Sequence, residues 1–175
     1  RIGQQIGDTL RLHNAFSSRD IASHVQALLD RVGLSSVGIS AEAYPHALSG
    51  GQRQRVLLAM AIACKPALLI ADEFTTALDS KTQAEMMDLV KDLAVDHGMA
   101  VLMISHDLGI ISRHAQRVLV LQQGCLVESN ETEQLCNAPR YPYTRALLSM
   151  SLHGTSHPPL TRIPVPSDAT EGSQL

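Results

Sequence analysis

The 175-residue sequence has no tryptophan, and aromatic residues make up only 3% of it. This scarcity argues against a surface on which nucleic-acid bases stack and against an aromatic-lined ligand cleft. A basic excess is missing too, since the formal net charge is −3 at pH 7, whereas proteins that bind a phosphate backbone normally carry a positive surface. We therefore expect no nucleic-acid partner.

Cysteine and long apolar runs are also scarce. The three cysteines, Cys64, Cys125 and Cys136, do not have the spacing of metal ligands, so neither a zinc site nor a disulfide framework is indicated, and a reducing compartment fits. The apolar runs at 67–71 and 99–104 have the length of strands, far below the ~20 residues that span a bilayer. Because 45% of the residues are hydrophobic, the chain can still bury a core.

Hydrophobic periodicity predicts helices that alternate with strands. Two buried strands are predicted at 67–71 and 99–105, and a hairpin at 118–127. Helices are predicted between the caps Ser17-Ser18 and Gly33, from Gln52 to Lys65-Pro66, and over 80–97, 108–115 and 141–148. This order indicates an α/β domain with a largely parallel sheet.

One candidate ligand site is the segment Ser49-Gly50-Gly51-Gln52, which stands at the start of a predicted helix. Two glycines let a ligand approach the backbone N–H groups closely, and a helix N-terminus favours negative charge. The segment is therefore a plausible phosphate seat. The alternative is a plain Ser-Gly-Gly turn that caps a helix.

A second candidate is the pair Asp72 and Glu73, which follows the first apolar strand. In α/β sheets, ligands bind outside the carboxyl ends of strands. One carboxylate there can hold Mg²⁺, directly or through water, while its neighbour polarises an attacking water. The alternative is a strand that simply ends in solvated acids.

Polar residues, Ser105-His106-Asp107, also end the second strand. Consecutive residues at a strand end point in different directions, so a hydrolase triad is not expected. We interpret His106 as a polar group that faces the same crevice as the two acids. The alternative is an ordinary surface histidine.

Taken in order, four segments resemble the ATP-binding subunits of ABC transporters. Residues 48–55 resemble the signature motif, 68–73 the Walker B strand, 77–79 the D-loop and 104–107 the H-loop. The resemblance covers roughly residues 1 to 149. It implies a P-loop NTPase-like α/β partial domain, with a mainly parallel sheet and a helical subdomain at the N-terminal end.

The resemblance also implies roles for single residues. The signature residues would contact the γ-phosphate of an ATP held by the opposite subunit; these are Ser49, Gly50, Gly51 and Gln52. The H-loop histidine, His106, would also contact the γ-phosphate. These roles fit phosphoryl transfer, which depends on positioning and charge neutralisation more than on covalent chemistry.

Three carboxylates complete the implied site. Asp72 would orient Mg²⁺ and its waters, Glu73 would be the general base, and Asp79 would link the two sites across the dimer. The implied cofactors are ATP and Mg²⁺. The implied partners are a second ATPase subunit or domain, transmembrane permease subunits and, indirectly, a substrate-binding protein, with the chain placed peripherally at the cytoplasmic face of the membrane.

Two further segments resemble the branch that imports oligopeptides, dipeptides and nickel. These are Tyr44-Pro45-His46 and the segment 139–148, which contains Pro142-Tyr143-Thr144. We therefore expect peptides as the substrate. The expected division is a helical, signature-bearing subdomain at 1–55, the C-terminal part of the ATPase core at 56–138, an importer-type element at 139–150 and a flexible tail or linker at 151–175.

The sequence departs from the family pattern in two ways. Phe74 stands where the family usually has proline, and no Gly-x-x-x-x-Gly-Lys-Ser/Thr occurs in a chain that begins at Arg1. We expect a segment of a longer importer ATPase that does not bind ATP well by itself. One alternative is a truncated or degenerate subunit that serves as a regulatory or scaffold partner. Another is a soluble ABC ATPase acting on DNA or ribosomes, which coiled-coil heptads or a basic surface would support.

Overall fold

The computed structural model describes residues 1–13, 17, 19–76 and 78–152. The chain divides into two compact units, Arg1–Ile104 and Ser105–Leu175. Within the described residues the elements are α1 (Ile2–Leu12), α2 (Ile21–Arg31), α3 (Gly50–Ile62), β1 (Leu68–Asp72), α4 (Ser80–His97), β2 (Ala100–Ile104), α5 (Leu108–His114), β3 (Arg117–Gln122), β4 (Cys125–Glu131), α6 (Thr132–Asn137) and α7 (Pro142–Leu152). The subdomain boundaries expected from the sequence stay a prediction, and the expected tail lies outside the described residues from 153 onward.

The helical core of the first unit contains α1, which the sequence analysis missed. The helix buries Ile2, Ile6 and Leu10 completely, and their spacing of four residues places them on one face. Gly3 allows the start of α1 to approach the loop that precedes α3, because a Cβ atom at this position would lie 2.6 Å from Cβ of Ala41. The close approach is fixed by the backbone bond from the Gly3 N–H to the Ala41 carbonyl, 2.9 Å long.

The start of α2 differs from the expectation. The sequence predicts caps at Ser17 and Ser18, but the helix begins at Ile21 with Asp20 in the N-cap position. The hydroxyl of Ser17 donates to the Asp20 carboxylate at 2.6 Å instead of capping the helix, and Ser18 lies outside the described residues. The predicted end at Gly33 is confirmed, since this residue has φ of 73°, a left-handed conformation that favours glycine.

A parallel pair of strands forms the sheet of the first unit. Asp72 at the end of β1 is aligned with Ile104 at the end of β2, and α4 connects the two strands as predicted. Leu69 and Ala71 are buried on one face of β1. The other face of the pair carries aliphatic side chains that are 43–60% exposed, namely Leu68, Ile70, Leu102 and Ile104. The predicted α/β class with a parallel pairing is confirmed.

The second unit contains the predicted hairpin of β3 and β4, which pair antiparallel. Its turn residues Gln123 and Gly124 have φ of 51° and 80°, as a two-residue hairpin turn with two left-handed residues requires. The predicted helix after Tyr141 is confirmed as α7, and the short helix α6 was not predicted.

A buried carboxylate ties α7 to the hairpin of the second unit. Glu128 on β4 accepts backbone N–H bonds from Arg140 at 2.9 Å and Tyr141 at 3.3 Å.

No helix in the described part of the chain is both long and apolar enough to cross a membrane.

Candidate functional site

The segment at the start of α3 forms a capping box. The Gln52 N–H donates to the Ser49 hydroxyl oxygen at 3.3 Å, and the Ser49 N–H donates to the Gln52 side-chain oxygen at 2.9 Å. This confirms Ser49 as the helix cap. Because the hydroxyl oxygen acts as an acceptor in this bond, its proton remains available to donate to a ligand.

Gly51 lies against the first turn of α4. A Cβ atom at this position would lie 2.7 Å from Cγ2 of Thr82, so no side chain fits there without a shift. At Gly50, in contrast, a Cβ atom would meet only Cδ2 of Leu78, at 4.0 Å. The two glycines therefore differ: the packing of α4 requires only Gly51 to lack a side chain.

The two acids lie at the end of β1, where both are exposed. Asp72 is the last residue of the strand. Glu73 follows with φ of 45°, and its N–H donates to the Ile104 carbonyl at 3.0 Å. A non-glycine residue in this region is strained, and such residues cluster at functional sites. The left-handed backbone makes Glu73 turn sharply away from the strand direction.

Side chains from α3 and α4 hold the loop that follows Glu73. Gln54 of α3 donates its amide to the carbonyl of Phe74, and Gln83 of α4 donates to the hydroxyl of the buried Thr75 at 3.1 Å. Phe74 itself packs against the hydrophobic core of the first unit. The loop is thus anchored without the proline that the family usually has here. The sequence analysis did not single out Gln54 or Gln83.

Asp79 caps α4 with both of its carboxylate oxygens. Oδ1 accepts the N–H groups of Lys81 at 3.1 Å and Thr82 at 3.0 Å, and Oδ2 accepts the hydroxyl of Thr82 at 2.7 Å. The N–H bond from Thr82, followed by the Thr82 hydroxyl, lowers the pKa of Asp79 below its ordinary value. The carboxylate therefore stays charged at neutral pH. The sequence analysis gave Asp79 the role of linking two nucleotide sites across a dimer and missed this capping role.

His106 belongs to the second unit, where it is exposed just before α5. The residues on either side of it serve the start of α5. Asp107 caps α5 by accepting the N–H groups of Gly109 at 2.8 Å and Ile110 at 3.3 Å. The Ser105 hydroxyl accepts the Asp107 N–H at 3.1 Å. The contact of His106 with a γ-phosphate stays a prediction.

The carboxylates at the end of β1 suit a magnesium ion that is also bound by phosphate groups of a ligand. Among the described residues, no group of three or more His, Cys, Asp or Glu side chains is close enough to hold a metal. Mg²⁺ usually binds through one or two carboxylates together with phosphates and waters. Asp72 and its neighbour Glu73 offer the carboxylates for such a site, but not a cage made of protein ligands alone.

Parts of the chain are similar to known proteins. Residues 3–76 match the ABC transporter family. Over 148 residues, 85% of this chain and 24% of the relative, the chain is 46% identical to the glutathione import ATP-binding protein of Escherichia coli K12. Over 147 residues, 84% of this chain and 44% of the relative, it is 48% identical to a candidate peptide import ATP-binding protein of Brucella ovis. It thus spans less than half the length of these relatives.

The family match and the two relatives agree with the resemblance that the sequence motifs indicate. The match at 3–76 contains both the capping box of α3 and the two acids after β1, and the similarity to each relative extends over more than four fifths of the chain. Residues 3–76 of the chain therefore belong to the ABC transporter family.

Proposed function

We propose that the chain is part of the ATP-hydrolysing subunit of an ABC importer for peptides. The observation that carries the proposal is Glu73 in a left-handed conformation, hydrogen-bonded through its N–H to the end of β2. This geometry fixes the backbone of a second acidic residue, next to Asp72 in the chain, at an exposed strand end. A pair of acids at that place suits a reaction in which one binds a metal and the other takes a proton.

In the proposed reaction, the acids after β1 have distinct tasks. Glu73 accepts a proton from the water that attacks the γ-phosphate, and Asp72 binds the metal directly or through its waters. When bound, Mg²⁺ neutralises charge on the phosphate oxygens of ATP. His106 donates a hydrogen bond to the γ-phosphate and helps to place it.

The signature residues act on the nucleotide of a second subunit in this proposal. Ser49 donates its hydroxyl proton, and the N-terminus of α3 directs N–H groups at the γ-phosphate. Gln52 keeps the Ser49 backbone in place through the capping box. No Gly-x-x-x-x-Gly-Lys-Ser/Thr occurs in the 175 residues, so the proposal assigns the cradle of the β- and γ-phosphates to residues outside this sequence.

The names of the relatives support the proposed substrate class. One relative is named for glutathione import and the other for peptide import, and glutathione is itself a tripeptide. The Pro142-Tyr143-Thr144 element supports the same assignment. We propose that the subunit works at the cytoplasmic face of the membrane with a second ATPase, permease subunits and a substrate-binding protein.

The variant Glu73→Gln in the full-length protein, assembled with its permease, tests the proposal. We expect ATP turnover to fall by about 10²- to 10⁴-fold, the usual contribution of a general base, while nucleotide binding is retained. Glu133→Gln, an exposed acid on α6, is the matched control and should leave turnover unchanged. A normal ATPase rate in Glu73→Gln would refute Glu73 as the base, and a wild-type protein without ATPase activity would refute the function itself.

A further inference from the structure

We infer that Thr82 is a positioning residue that joins the carboxylate of Asp79 to the signature backbone at Gly51 within one chain. The inference rests on the proposed function, since it concerns two residues of the proposed nucleotide site. It goes beyond that function because Thr82 lies outside the four motifs and touches no nucleotide in the proposal.

The hydroxyl side of Thr82 is bonded to Asp79. The hydroxyl donates to Oδ2 of Asp79 at 2.7 Å, and the N–H of the same residue donates to Oδ1 at 3.0 Å. Two donors to this carboxylate thus come from one residue, and the N–H of Lys81 is a further donor. Rotation of the Asp79 side chain would break the bonds to both oxygens.

The methyl side of Thr82 is packed against Gly51. A Cβ atom on Gly51 would come within 2.7 Å of Cγ2 of Thr82, a distance that real Cβ contacts essentially never show. The Gly51 backbone therefore rests on this methyl group. A movement of the first turn of α4 towards α3 must displace Gly51, because no free space separates them.

Capping of α4 requires neither the bond from the Thr82 hydroxyl to Asp79 nor the contact of the Thr82 methyl group with Gly51. A cap needs a side-chain oxygen that accepts backbone N–H groups, and the N–H groups of Lys81 and Thr82 fulfil this whatever side chain stands at position 82. The hydroxyl and the methyl of Thr82 are additional, and they contact two different elements. Thr82 therefore fixes the distance between Asp79 and Gly51 through two contacts that helix capping does not need.

Two near-isosteric variants separate the two contacts in the full-length protein assembled with its permease. Thr82→Val keeps the methyl and removes the hydroxyl, whereas Thr82→Ser keeps the hydroxyl and removes the methyl. We expect each to lower kcat about fivefold, as for the loss of one ordinary contact. The KM for ATP should change less than twofold, because Thr82 itself contacts no phosphate. Thermal unfolding midpoints should remain close to that of the wild type.

A rescue experiment tests the contact with Gly51 directly. Gly51→Ala should lower both kcat and the unfolding midpoint, and Thr82→Ser should restore a large part of both in the double variant, because the atom that the new Cβ would meet is gone. Gly50→Ala is the matched control: its Cβ has no close contact with Thr82, so Thr82→Ser should not improve it.

The outcomes separate this inference from the proposed function. Equal damage by Gly51→Ala in both backgrounds, or a wild-type kcat in Thr82→Val, would overturn the positioning role. A wild-type protein that does not hydrolyse ATP would refute the proposed function and, with it, a role in catalysis. The unfolding midpoints of Gly51→Ala and of the double variant with Thr82→Ser would then still decide whether the contact exists.

Discussion

The hydroxyl of Thr76 lies 2.6 Å from Oε2 of Glu73 and 2.9 Å from the carbonyl oxygen of the same residue. The Thr76 N–H also donates to that carbonyl at 3.2 Å, which closes a tight turn. One residue thus binds both the backbone and the side chain of Glu73. The turn fixes where the carboxylate points as well as where the chain goes.

Thr76→Val tests this arrangement. It removes the hydroxyl but keeps the shape, so the Glu73 side chain loses a hydrogen bond at its carboxylate. We expect kcat for ATP hydrolysis in the assembled transporter to fall about fivefold to tenfold. Thr76→Ser, which keeps the hydroxyl, should stay within about twofold of the wild type. Equal rates for both variants would show that the hydroxyl does not orient the base.

At Ser49, the capping role and the ligand role can be separated. Ser49→Ala removes the cap of α3 and should destabilise the protein by about 1 kcal/mol, as well as lowering ATPase activity. Ser49→Asn retains a capping oxygen but no hydroxyl, so it should keep the stability and still lose activity. Chemical unfolding and steady-state ATPase assays measure the two effects. Full activity of Ser49→Asn would assign Ser49 to the helix cap alone.

Glu128 should make the attachment of α7 sensitive to acid. Burial of its side chain opposes the charge, but the N–H group of Arg140, the side chain of Thr144, the N–H group of Tyr141 and the charge of Arg140 outweigh it and lower the pKa of Glu128. Because the pKa is lower when folded, the carboxylate stabilises the fold above the unfolded value of about 4.3. This stabilisation is lost as the pH falls through the lower folded value.

Amide exchange at Arg140 and Tyr141 measures this dependence. In the wild type, their protection factors should fall as the pH drops below about 4.3. Glu128→Gln should show about tenfold lower protection at pH 7, equivalent to about 1.4 kcal/mol, and no further loss in acid. An acid-dependent loss of the same size in Glu128→Gln would exclude this carboxylate as the titrating group.

The alternating exposure along β1 predicts unequal effects of neighbouring substitutions. In the 175-residue chain, Leu69→Ala should cost about 2–5 kcal/mol of unfolding free energy, because Leu69 is buried. Ile70→Ala should change it by less than about 0.5 kcal/mol, because Ile70 is 60% exposed. Denaturant titrations of the two variants provide the comparison. Equal costs would contradict the assignment of faces.

Much of the fold could be predicted from local patterns. The end of α4 is predicted by the residue that follows it, since Gly98 ends the helix in a left-handed conformation with φ of 60°. The cap at Ser49 is visible because Gln52 follows three residues later. In contrast, α1 was missed although Ile2, Ile6 and Leu10 have helical spacing, because the first residues were considered only as the start of the chain.

Other features depend on contacts that a local pattern does not contain. β4 continues past the predicted end at residue 127. Its residue Glu128 accepts hydrogen bonds from Arg140 and Tyr141, which lie 12 and 13 residues further along the chain. The positions of Gln54 and Thr82 beside the site likewise depend on how α3 packs against α4. Motifs therefore predicted the acids and the glycines, while the residues that hold them became visible only in three dimensions.

At Glu73, the backbone conformation lowers the stability of the fold, whereas the side chain supplies the proposed catalytic carboxylate. A left-handed conformation costs a non-glycine residue about 1–2 kcal/mol, and Glu73→Gly would relieve that strain while deleting the carboxylate. A lineage freed from the need to hydrolyse ATP would gain stability from this exchange. Backbone strain alone thus favours glycine at position 73, and what the glutamate offers in return is its carboxylate, which is the proposed base and accepts the Thr76 hydroxyl.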